Sequence, residues 1–279
     1  MKKTAIVSVN AKINLSLCVN GKQGDYHELD SIVASVDISD VISVTESNRD
    51  EITFSACGVD AYKSNAFAAL GYMRNRYALP HVSINVMNDI PCGAGLGGSS
   101  ADCAGVILAL DKLFSLDLSL ETMREIANRF GSDTAYMLTG GYARLRGRGE
   151  IIEPFESCFS PEILIACKGE VSTGKCFTLF DRLSSDKKPC AVDELKAALI
   201  SDDEEKIKSL VRNDLTDCAC NLNGDIARIF EIAKPCRCVM TGSGAGVVIF
   251  DATDKTESVL TDAGIKVIRT RILPSRRGR

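Results

Sequence analysis

The chain of 279 residues lacks any apolar run long enough to cross a membrane. A transmembrane helix requires about 20 consecutive, mainly apolar residues, and no stretch approaches that length. The chain also has no excess of positive charge. It contains 33 lysine and arginine residues and 37 aspartate and glutamate residues, which gives a net charge of -4. Nucleic-acid-binding domains are usually strongly basic. We therefore expect neither a membrane nor a nucleic acid as a partner.

We expect neither a secretory signal nor a metal motif in this sequence. The apolar stretch from Ala5 to Val9 is interrupted by Ser8 and is too short for the core of a signal peptide, so we expect a cytoplasmic protein. Most of the 12 cysteines lie in apolar runs, where cysteine packs as a small hydrophobic residue. The pairs Cys218–Cys220 and Cys236–Cys238 leave one intervening residue, whereas zinc sites usually leave two or more. We expect reduced cysteines and no metal site, with zinc at these pairs as the alternative.

The composition and patterning predict a globular protein of mixed structure. Hydrophobic residues make up 45% of the chain and charged residues 25%, and the length suits about two domains. Alternating polarity predicts strands in "TAIVSVNAKINLSLCV", "DSIVASVDISDVISVTES" and "HVSINVMND". Helical spacing is found in "SNAFAALGYMRNRYAL", in "SSADCAGVILALDKLFS", between Ser119 and Gly131, and near 175–183, 191–213 and 223–233. We expect an α+β fold with domains over residues 1–156 and 157–279.

The most informative segment is the glycine-rich stretch "IPCGAGLGGSSADCAGVILAL" at residues 90–110. Four glycines and two serines lead directly into an apolar helix: Gly93, Gly95, Gly97, Gly98, Ser99 and Ser100. Glycines let the backbone approach a ligand closely, and a helix start offers unpaired N–H groups and the positive end of a dipole. We interpret the segment as a phosphate-binding loop, with a glycine-rich hairpin capped by serine as the alternative.

Two further glycine segments are candidates for ligand contact. The segment "TGSGAG" at residues 241–246 precedes a predicted strand and suits either a second ligand loop or a turn. The segment from Gly169 to Cys176 has nearly the spacing of a P-loop, but cysteine replaces the serine or threonine whose hydroxyl binds Mg²⁺. We do not expect a P-loop there.

Several polar residues suit phosphoryl transfer, which needs a positioned acceptor, neutralised phosphate charge and often a base. Asp133 opens an apolar helix, where the ordinary role of aspartate is an N-cap. Lys12 and Asn14 share one face of a predicted strand, where lone charges usually face solvent. A lysine beside an aspartate would keep the carboxylate ionised, but the sequence alone does not bring the two together. Tyr26 and His27 offer rings for a planar base, with a turn before a strand as the alternative.

Together these segments resemble the GHMP family of small-molecule kinases over nearly the whole chain. The resembling motifs are "AKINLSLCVNGKQGDYHELDSI", "SNAFAAL", "IPCGAGLGGSSADCAG", "GSDTAYMLTGGYARLRGRGE", "VSTGKCFTLFD", "NDL" and "MTGSGAGVVIF". The combination of "AKINL" and "DYHEL" indicates the branch whose acceptor is 4-diphosphocytidyl-2-C-methyl-D-erythritol. The resemblance implies a ribosomal S5 domain 2-like N-terminal domain, mainly for ATP and catalysis, and a ferredoxin-like C-terminal domain.

The resemblance also implies an ATP- and Mg²⁺-dependent kinase of the non-mevalonate isoprenoid pathway that phosphorylates the 2-hydroxyl of this acceptor, as a monomer or homodimer. Asp133 would be the catalytic base, with Lys12 beside the reacting hydroxyl. The residues implied for ATP are Gly93, Gly95, Gly97, Gly98, Ser99, Ser100 and, near the adenine, Asn65. The residues implied for the acceptor are Asn14, Tyr26, His27 and Phe177. The open alternatives are a homoserine or mevalonate type of GHMP kinase and a non-catalytic nucleotide-binding protein.

Overall fold

The computed structural model describes residues 2–24, 26–55, 58, 60–183 and 190–275 of the chain. The chain forms two compact units, each assembled from several stretches of sequence. The first unit comprises Met1–Ala11, Ile38–Cys92 and Gly97–Gly140, and the second comprises Lys12–Asp37, Gly93–Leu96 and Gly141–Arg279. Among the described residues, no helix is both long enough and apolar enough to cross a membrane. The mixture of helices and strands confirms the α+β class, and the division at residues 156 and 157 stays a prediction.

The first unit combines paired strands with four helices. Two strands, β1 (Thr4–Gln23) and β2 (Tyr26–Glu46), supply residues to both units, and the remaining elements are β3 (Glu51–Phe54), α1 (Asn65–Tyr77), β4 (Val82–Met87), α2 (Gly98–Phe114), α3 (Leu120–Ala127) and α4 (Thr134–Met137). Strand β4 pairs antiparallel with β2 and parallel with β3. Alternate residues of β4 are buried, as expected for a strand with one face on a core.

Helix α2 is the central element of the first unit, with ten buried residues and contacts to α1, α3 and α4. Its Gly105 lies against Ile42 of β2, because a Cβ placed on Gly105 would be 2.4 Å from the Ile42 Cδ1 atom. The missing side chain lets the helix approach the strand closely. This packing fixes where the first turn of α2 lies, and that turn follows the predicted phosphate loop.

The second unit contains two sheets. Its further elements are β5 (Ala143–Gly147), β6 (Ile151–Pro154), β7 (Glu162–Cys167), α5 (Thr173–Leu183), α6 (Val192–Ser201), α7 (Glu204–Leu210), β8 (Arg212–Asn213), α8 (Thr216–Leu222), α9 (Gly224–Ile232), β9 (Cys238–Met240), β10 (Val247–Phe250), α10 (Asp254–Asp262) and β11 (Lys266–Arg271). Within this unit one sheet has the order β6-β5-β2-β1-β8. The other is antiparallel, has the order β11-β7-β10-β9, and forms one core with α5, α8, α9 and α10.

The predicted helices are largely confirmed, with differences at their ends. Helix α3 starts at the predicted cap, Ser119, but ends at Ala127 rather than at Gly131. The helical region predicted near 191–213 is divided into α6 and α7, because Asp202 adopts a left-handed conformation with φ of 57° and the side chain of Asp203 caps the next helix. Helices α8 and α10 were not predicted.

The expectation that all cysteines are reduced is wrong at one pair. Cys18 in β1 and Cys190 before α6 form a disulfide, with their Cα atoms 6.2 Å apart. The sequence carries no sign of this pair because 172 residues separate its members. Nine other cysteines have free thiols, and burial raises the pKa of Cys238 to about 12, which keeps this thiol neutral. Cys57 lies outside the described residues.

Replacing Gly105 by alanine is expected to lower the free energy of unfolding by about 1–3 kcal/mol, because the new methyl group overlaps Ile42. The matched control is Gly71→Ala in α1, where a Cβ meets nothing within 4 Å. Alanine has the higher helix propensity, so this control should gain about 0.5–1 kcal/mol. Denaturant unfolding followed by circular dichroism measures both. A Gly105→Ala variant as stable as the control would show that the close approach of α2 to β2 is not required.

Candidate active site

The glycine-rich segment predicted to bind phosphate leads into α2. Gly93, Gly95 and Gly97 have φ angles of 71°, 72° and 79°, in the left-handed region that glycine adopts without strain. The first turn of α2 consists of Gly98, Ser99 and Ser100. The first N–H groups of a helix have no acceptor within the helix, and the helix dipole is positive at this end. This geometry suits an anion-binding loop.

The middle of this loop is supported by the second glycine segment, residues 241–246. The Ala245 N–H group donates a hydrogen bond to the Gly93 carbonyl oxygen at 3.1 Å. A Cβ on Gly95 would lie 2.3 Å from the Thr241 carbonyl oxygen, so no side chain fits between the two segments. Residues 241–246 therefore support the predicted phosphate loop through backbone contacts to Gly93 and Gly95.

Lys12 and Asn14 lie together on β1 and are almost completely buried, at 3% and 4% exposure. Lys12 is thus not a solvent-facing charge, which was the alternative. Its ammonium group donates to the Asn14 Oδ1 atom at 2.8 Å, and the same oxygen accepts the Gly242 N–H at 2.9 Å. The Asn14 Nδ2 atom donates to the Ser31 hydroxyl at 2.8 Å. The Asn14 amide therefore orients Lys12 and connects it to residues 241–246.

Asp133 lies in the first unit, directly before α4. It occupies the N-cap position of this helix, but its carboxylate makes no capping hydrogen bond, so capping does not explain it. Gly131, two residues earlier, lies near two predicted nucleotide contacts. A Cβ placed on Gly131 would be 3.4 Å from the Ser100 Oγ atom and 3.8 Å from the Asn65 Nδ2 atom. The structure thus brings the starts of α1 and α2 to the turn that carries Asp133.

His27 stacks on Phe177 in the second unit, with ring centroids 4.6 Å apart and planes inclined by 23°. The His27 Nε2 atom lies 2.6 Å from Oδ1 of Asp181, whose other oxygen accepts a hydrogen bond from Lys22 at 3.0 Å. The hydrogen bonds from His27 and Lys22 lower the pKa of Asp181, so this carboxylate is ionised at neutral pH. Asp181 thereby fixes the orientation of the imidazole against Phe177.

The side chains of Tyr26 and His27 have different neighbours. Tyr26 is 54% exposed, and the Arg148 guanidinium carbon lies 3.6 Å from the centroid of its ring. This distance is typical of a cation–π contact. The three aromatic residues predicted for one base therefore fall into a His27–Phe177 pair and a Tyr26–Arg148 pair.

Sequence reasoning missed Lys22, Arg148 and Asp181. Asp181 could have been predicted from the sequence. It follows Phe177 by four residues, and about one helical turn places both side chains on one face of α5. Lys22 and Arg148 carry no such local signal, since their partners lie far away in the sequence.

The chain is similar to known proteins along nearly its whole length. The family description "GHMP kinases N terminal domain" matches residues 64–143. The 4-diphosphocytidyl-2-C-methyl-D-erythritol kinase of Thermoanaerobacter sp. (strain X514) is 33% identical to this chain, over 91% of the chain and 90% of the relative. The protein of the same name from Clostridium perfringens (strain 13 / Type A) is 33% identical over 86% of each chain.

Solved structures show the same fold. A crystal structure of 4-(cytidine 5'-diphospho)-2C-methyl-D-erythritol kinase matches with a TM-score of 0.79 at 25% identity, covering 97% of this chain and 100% of that one. Homoserine kinase from Cytophaga hutchinsonii ATCC 33406 matches with a TM-score of 0.74 at 16% identity, covering 98% and 96%. At 16% identity, the similarity to homoserine kinase shows a shared fold and nothing more.

Replacing Gly95 by alanine is expected to weaken ATP binding about tenfold or more, equivalent to about 1.4 kcal/mol. The new methyl group would collide with the Thr241 carbonyl and displace the loop. Gly264→Ala is the matched control, because its φ of 71° imposes the same backbone strain while nothing lies within 4 Å of the new Cβ. Isothermal titration calorimetry measures both affinities. Unchanged affinity in Gly95→Ala would contradict the role of the glycine contact.

Proposed function

We propose a reaction for this chain on the premise that it belongs to the family of 4-diphosphocytidyl-2-C-methyl-D-erythritol kinases, a branch of the GHMP kinases. The reaction transfers the γ-phosphoryl group of ATP to the 2-hydroxyl of 4-diphosphocytidyl-2-C-methyl-D-erythritol, in the non-mevalonate isoprenoid pathway. The observation that carries the choice of acceptor is the stacked His27–Phe177 pair held by Asp181. A cytosine ring calls for an aromatic surface, whereas homoserine and mevalonate have no ring to stack.

The loop from Gly93 to Ser100 wraps the ATP phosphates in this reaction. Its left-handed glycines and the first turn of α2 present backbone N–H groups to an anion. Asn65 lies near the adenine. The hydroxyl oxygens of Ser99 and Ser100 are ligands of the kind that Mg²⁺ prefers, so these residues fit a Mg²⁺–ATP complex. When bound, Mg²⁺ offsets the negative charge between the phosphates.

Asp133 accepts the proton of the acceptor hydroxyl, and Lys12 supplies positive charge beside that hydroxyl. Phosphoryl transfer depends on positioning and electrostatic stabilisation more than on covalent chemistry. Two observations support these roles. The Asp133 carboxylate does not cap α4, and the buried Lys12 ammonium is oriented by a hydrogen bond to the Asn14 amide oxygen.

Tyr26, His27 and Phe177 hold the cytosine of the acceptor, and Asn14 helps to position the reacting portion. Aromatic side chains bind a base by stacking because every base has a π face. Arg148 lies over the Tyr26 ring. A guanidinium group donates two parallel hydrogen bonds to phosphate oxygens, which suits the diphosphate of the acceptor. The two ring pairs thus offer stacking surface and positive charge, as a cytidine diphosphate requires.

The proposal also includes the cellular location, the partners and the oligomeric state of the protein. The protein acts on small molecules in the cytoplasm, without a nucleic acid or membrane as a partner, as a monomer or homodimer. The charge balance of -4 supports the absence of nucleic acid, and the names of the relatives support a small-molecule acceptor.

With ATP and Mg²⁺, the protein is expected to phosphorylate 4-diphosphocytidyl-2-C-methyl-D-erythritol and neither homoserine nor mevalonate. Asp133→Asn should lose about 10²-fold or more in kcat and keep its ATP affinity, because the base is removed while the phosphate loop stays intact. Asp117→Asn makes the same change of charge at an exposed position of the same unit and should keep the full rate. A coupled assay of ADP release measures turnover, and calorimetry measures affinity.

Each contrary result has a distinct meaning. Turnover of homoserine or mevalonate alone would overturn the acceptor. ATP binding without turnover of any acceptor would favour a non-catalytic nucleotide-binding protein. Full activity of Asp133→Asn would remove this residue from the role of base.

Phe177→Ala is expected to raise the KM for the cytidine acceptor about tenfold, within the range of about 1–3 kcal/mol that one stacked base contributes. Tyr26→Ala should also raise this KM. In both variants the KM for ATP should stay nearly unchanged, because neither ring belongs to the phosphate loop. Thr178→Ala, at the exposed position after Phe177, is the control. Steady-state kinetics with each substrate varied in turn provides the test, and an unchanged acceptor KM in both aromatic variants would contradict stacking.

A further inference from the structure

The Asn213 side chain of β8 is buried in the second unit, at 6% exposure. Its Nδ2 atom donates to the carbonyl oxygens of Met240 and Gly242, at 2.8 Å each. Its Oδ1 atom accepts the Leu215 N–H at 2.9 Å. The amide therefore uses both of its N–H donors and its oxygen on the main chain, which fixes its orientation. The reaction proposed above gives no role to the motif "NDL", to which Asn213 belongs.

The two carbonyl groups that accept from Asn213 lie on either side of one peptide group. Met240 belongs to the ladder between β9 and β10, whereas Gly242 has a left-handed φ of 59°. The Asn213 amide joins the peptide group before Thr241 to the one after Gly242. It thereby holds the peptide group between them from both sides, and that peptide group carries the Gly242 N–H.

The Gly242 N–H group connects this turn to Lys12. It donates to the Asn14 Oδ1 atom at 2.9 Å, and the same oxygen accepts the Lys12 ammonium group at 2.8 Å. The side chains of Lys12, Asn14 and Asn213 are all buried. A displaced Gly242 peptide group would therefore move the oxygen that orients the ammonium group.

Asn213 is also attached to the strand that carries Lys12. Strand β8 pairs in parallel with β1, and Asn213 lies opposite Leu17, three residues beyond Asn14. Strand β1 thus meets residues 240–242 by two routes, directly at Asn14 and through Asn213. The two routes form a closed ring of contacts, which restrains the Asn14 amide.

We propose that Asn213 is a positioning residue for the reaction, which sets the place of the Lys12 ammonium group through the Gly242 peptide group and the Asn14 amide. The inference rests on the proposed function, because Lys12 is the group that acts beside the acceptor hydroxyl. Asn213 touches neither ATP nor the acceptor in this role.

The first test replaces Asn213 by aspartate, which has the same shape but sets carboxylate oxygens against the two carbonyl oxygens. The Gly242 peptide group should shift, and kcat should fall about tenfold or more, because a small displacement of a catalytic group is costly. The KM for the cytidine acceptor should stay within about twofold, since the stacking rings are untouched. Asn213→Ser adds no charge and should also lower kcat, which separates the loss of the donors from the new negative charge. Steady-state kinetics at saturating ATP provides both constants.

Asn223→Asp is the matched control in the same unit. The Asn223 side chain likewise donates to a carbonyl oxygen, that of Lys168 at 2.9 Å, and accepts a backbone N–H, that of Asp225 at 3.1 Å. These hydrogen bonds connect the residue after β7 with the start of α9. The control should keep the wild-type kcat. Melting temperatures of Asn213→Asp and Asn223→Asp show whether a loss of kcat merely accompanies a loss of stability.

The second test is a double-mutant cycle with Asn14. If Asn213 acts through Asn14, then Asn14→Ala already removes the contact that Asn213 supports. In the Asn14→Ala background, Asn213→Asp should lower kcat by less than about twofold, against about tenfold or more in wild type. A merely structural effect would lower kcat by the same factor in both backgrounds.

Three results would overturn the proposal: a wild-type kcat in Asn213→Asp and Asn213→Ser, an equal loss of kcat in Asn223→Asp, or equal factors in the two backgrounds of the cycle. If Asn213→Asp fails to fold, Asn213→Ser takes its place in the cycle. Turnover of homoserine or mevalonate alone would defeat the proposed acceptor, and the same comparison of kcat would then use that acceptor. The two failures are therefore distinguishable.

Discussion

The close backbone contact between residues 93–96 and 241–246 is the constraint on which the rest of the site depends. It requires glycine on both sides, since a Cβ on Gly95 would lie 2.3 Å from the Thr241 carbonyl oxygen and one on Gly242 would lie 3.1 Å from the Gly95 Cα atom. Side-chain amides hold the second segment in place. Asn213 donates to the carbonyl oxygens of Met240 and Gly242 at 2.8 Å each, and Asn14 accepts the Gly242 N–H. Residues 93–96 and Lys12 are thus positioned by one hydrogen-bonded framework.

Lys12 and Asp40 are buried ionisable groups, and each forms hydrogen bonds with uncharged polar groups. The Lys12 ammonium is bonded to an amide oxygen, and Asp40 accepts backbone and amide N–H groups. Burial of a charge is costly unless polar groups replace the lost water. The Asn14 amide oxygen at Lys12 and the N–H groups around Asp40 supply such polar contacts.

The features that could be predicted from the sequence are those that depend on residues close together in the chain. The glycine-rich turns before α2 were found because positive φ angles select glycine residue by residue, and the start of α3 was found because a serine cap acts within one turn. The end of α3 was placed too late, at Gly131, because helix ends depend on packing as well as on local signals. The supporting role of residues 241–246 was left open, since it is defined by a partner about 150 residues away.

The sequence by itself determined the family, the α+β class, the glycine-rich turns before α2 and most helices, because each depends on residue type and short-range spacing. Tertiary structure alone decided which polar groups meet. It connected Asp40 and Asp102 through the Asn88 amide, and it paired Tyr26 with Arg148, His27 with Asp181, and Cys18 with Cys190. The physical reason is that hydrogen bonds, stacking and disulfides act over a few ångströms in space, whereas these partners are separated by 62 to 172 residues of chain, over which the local pattern carries no information about contact.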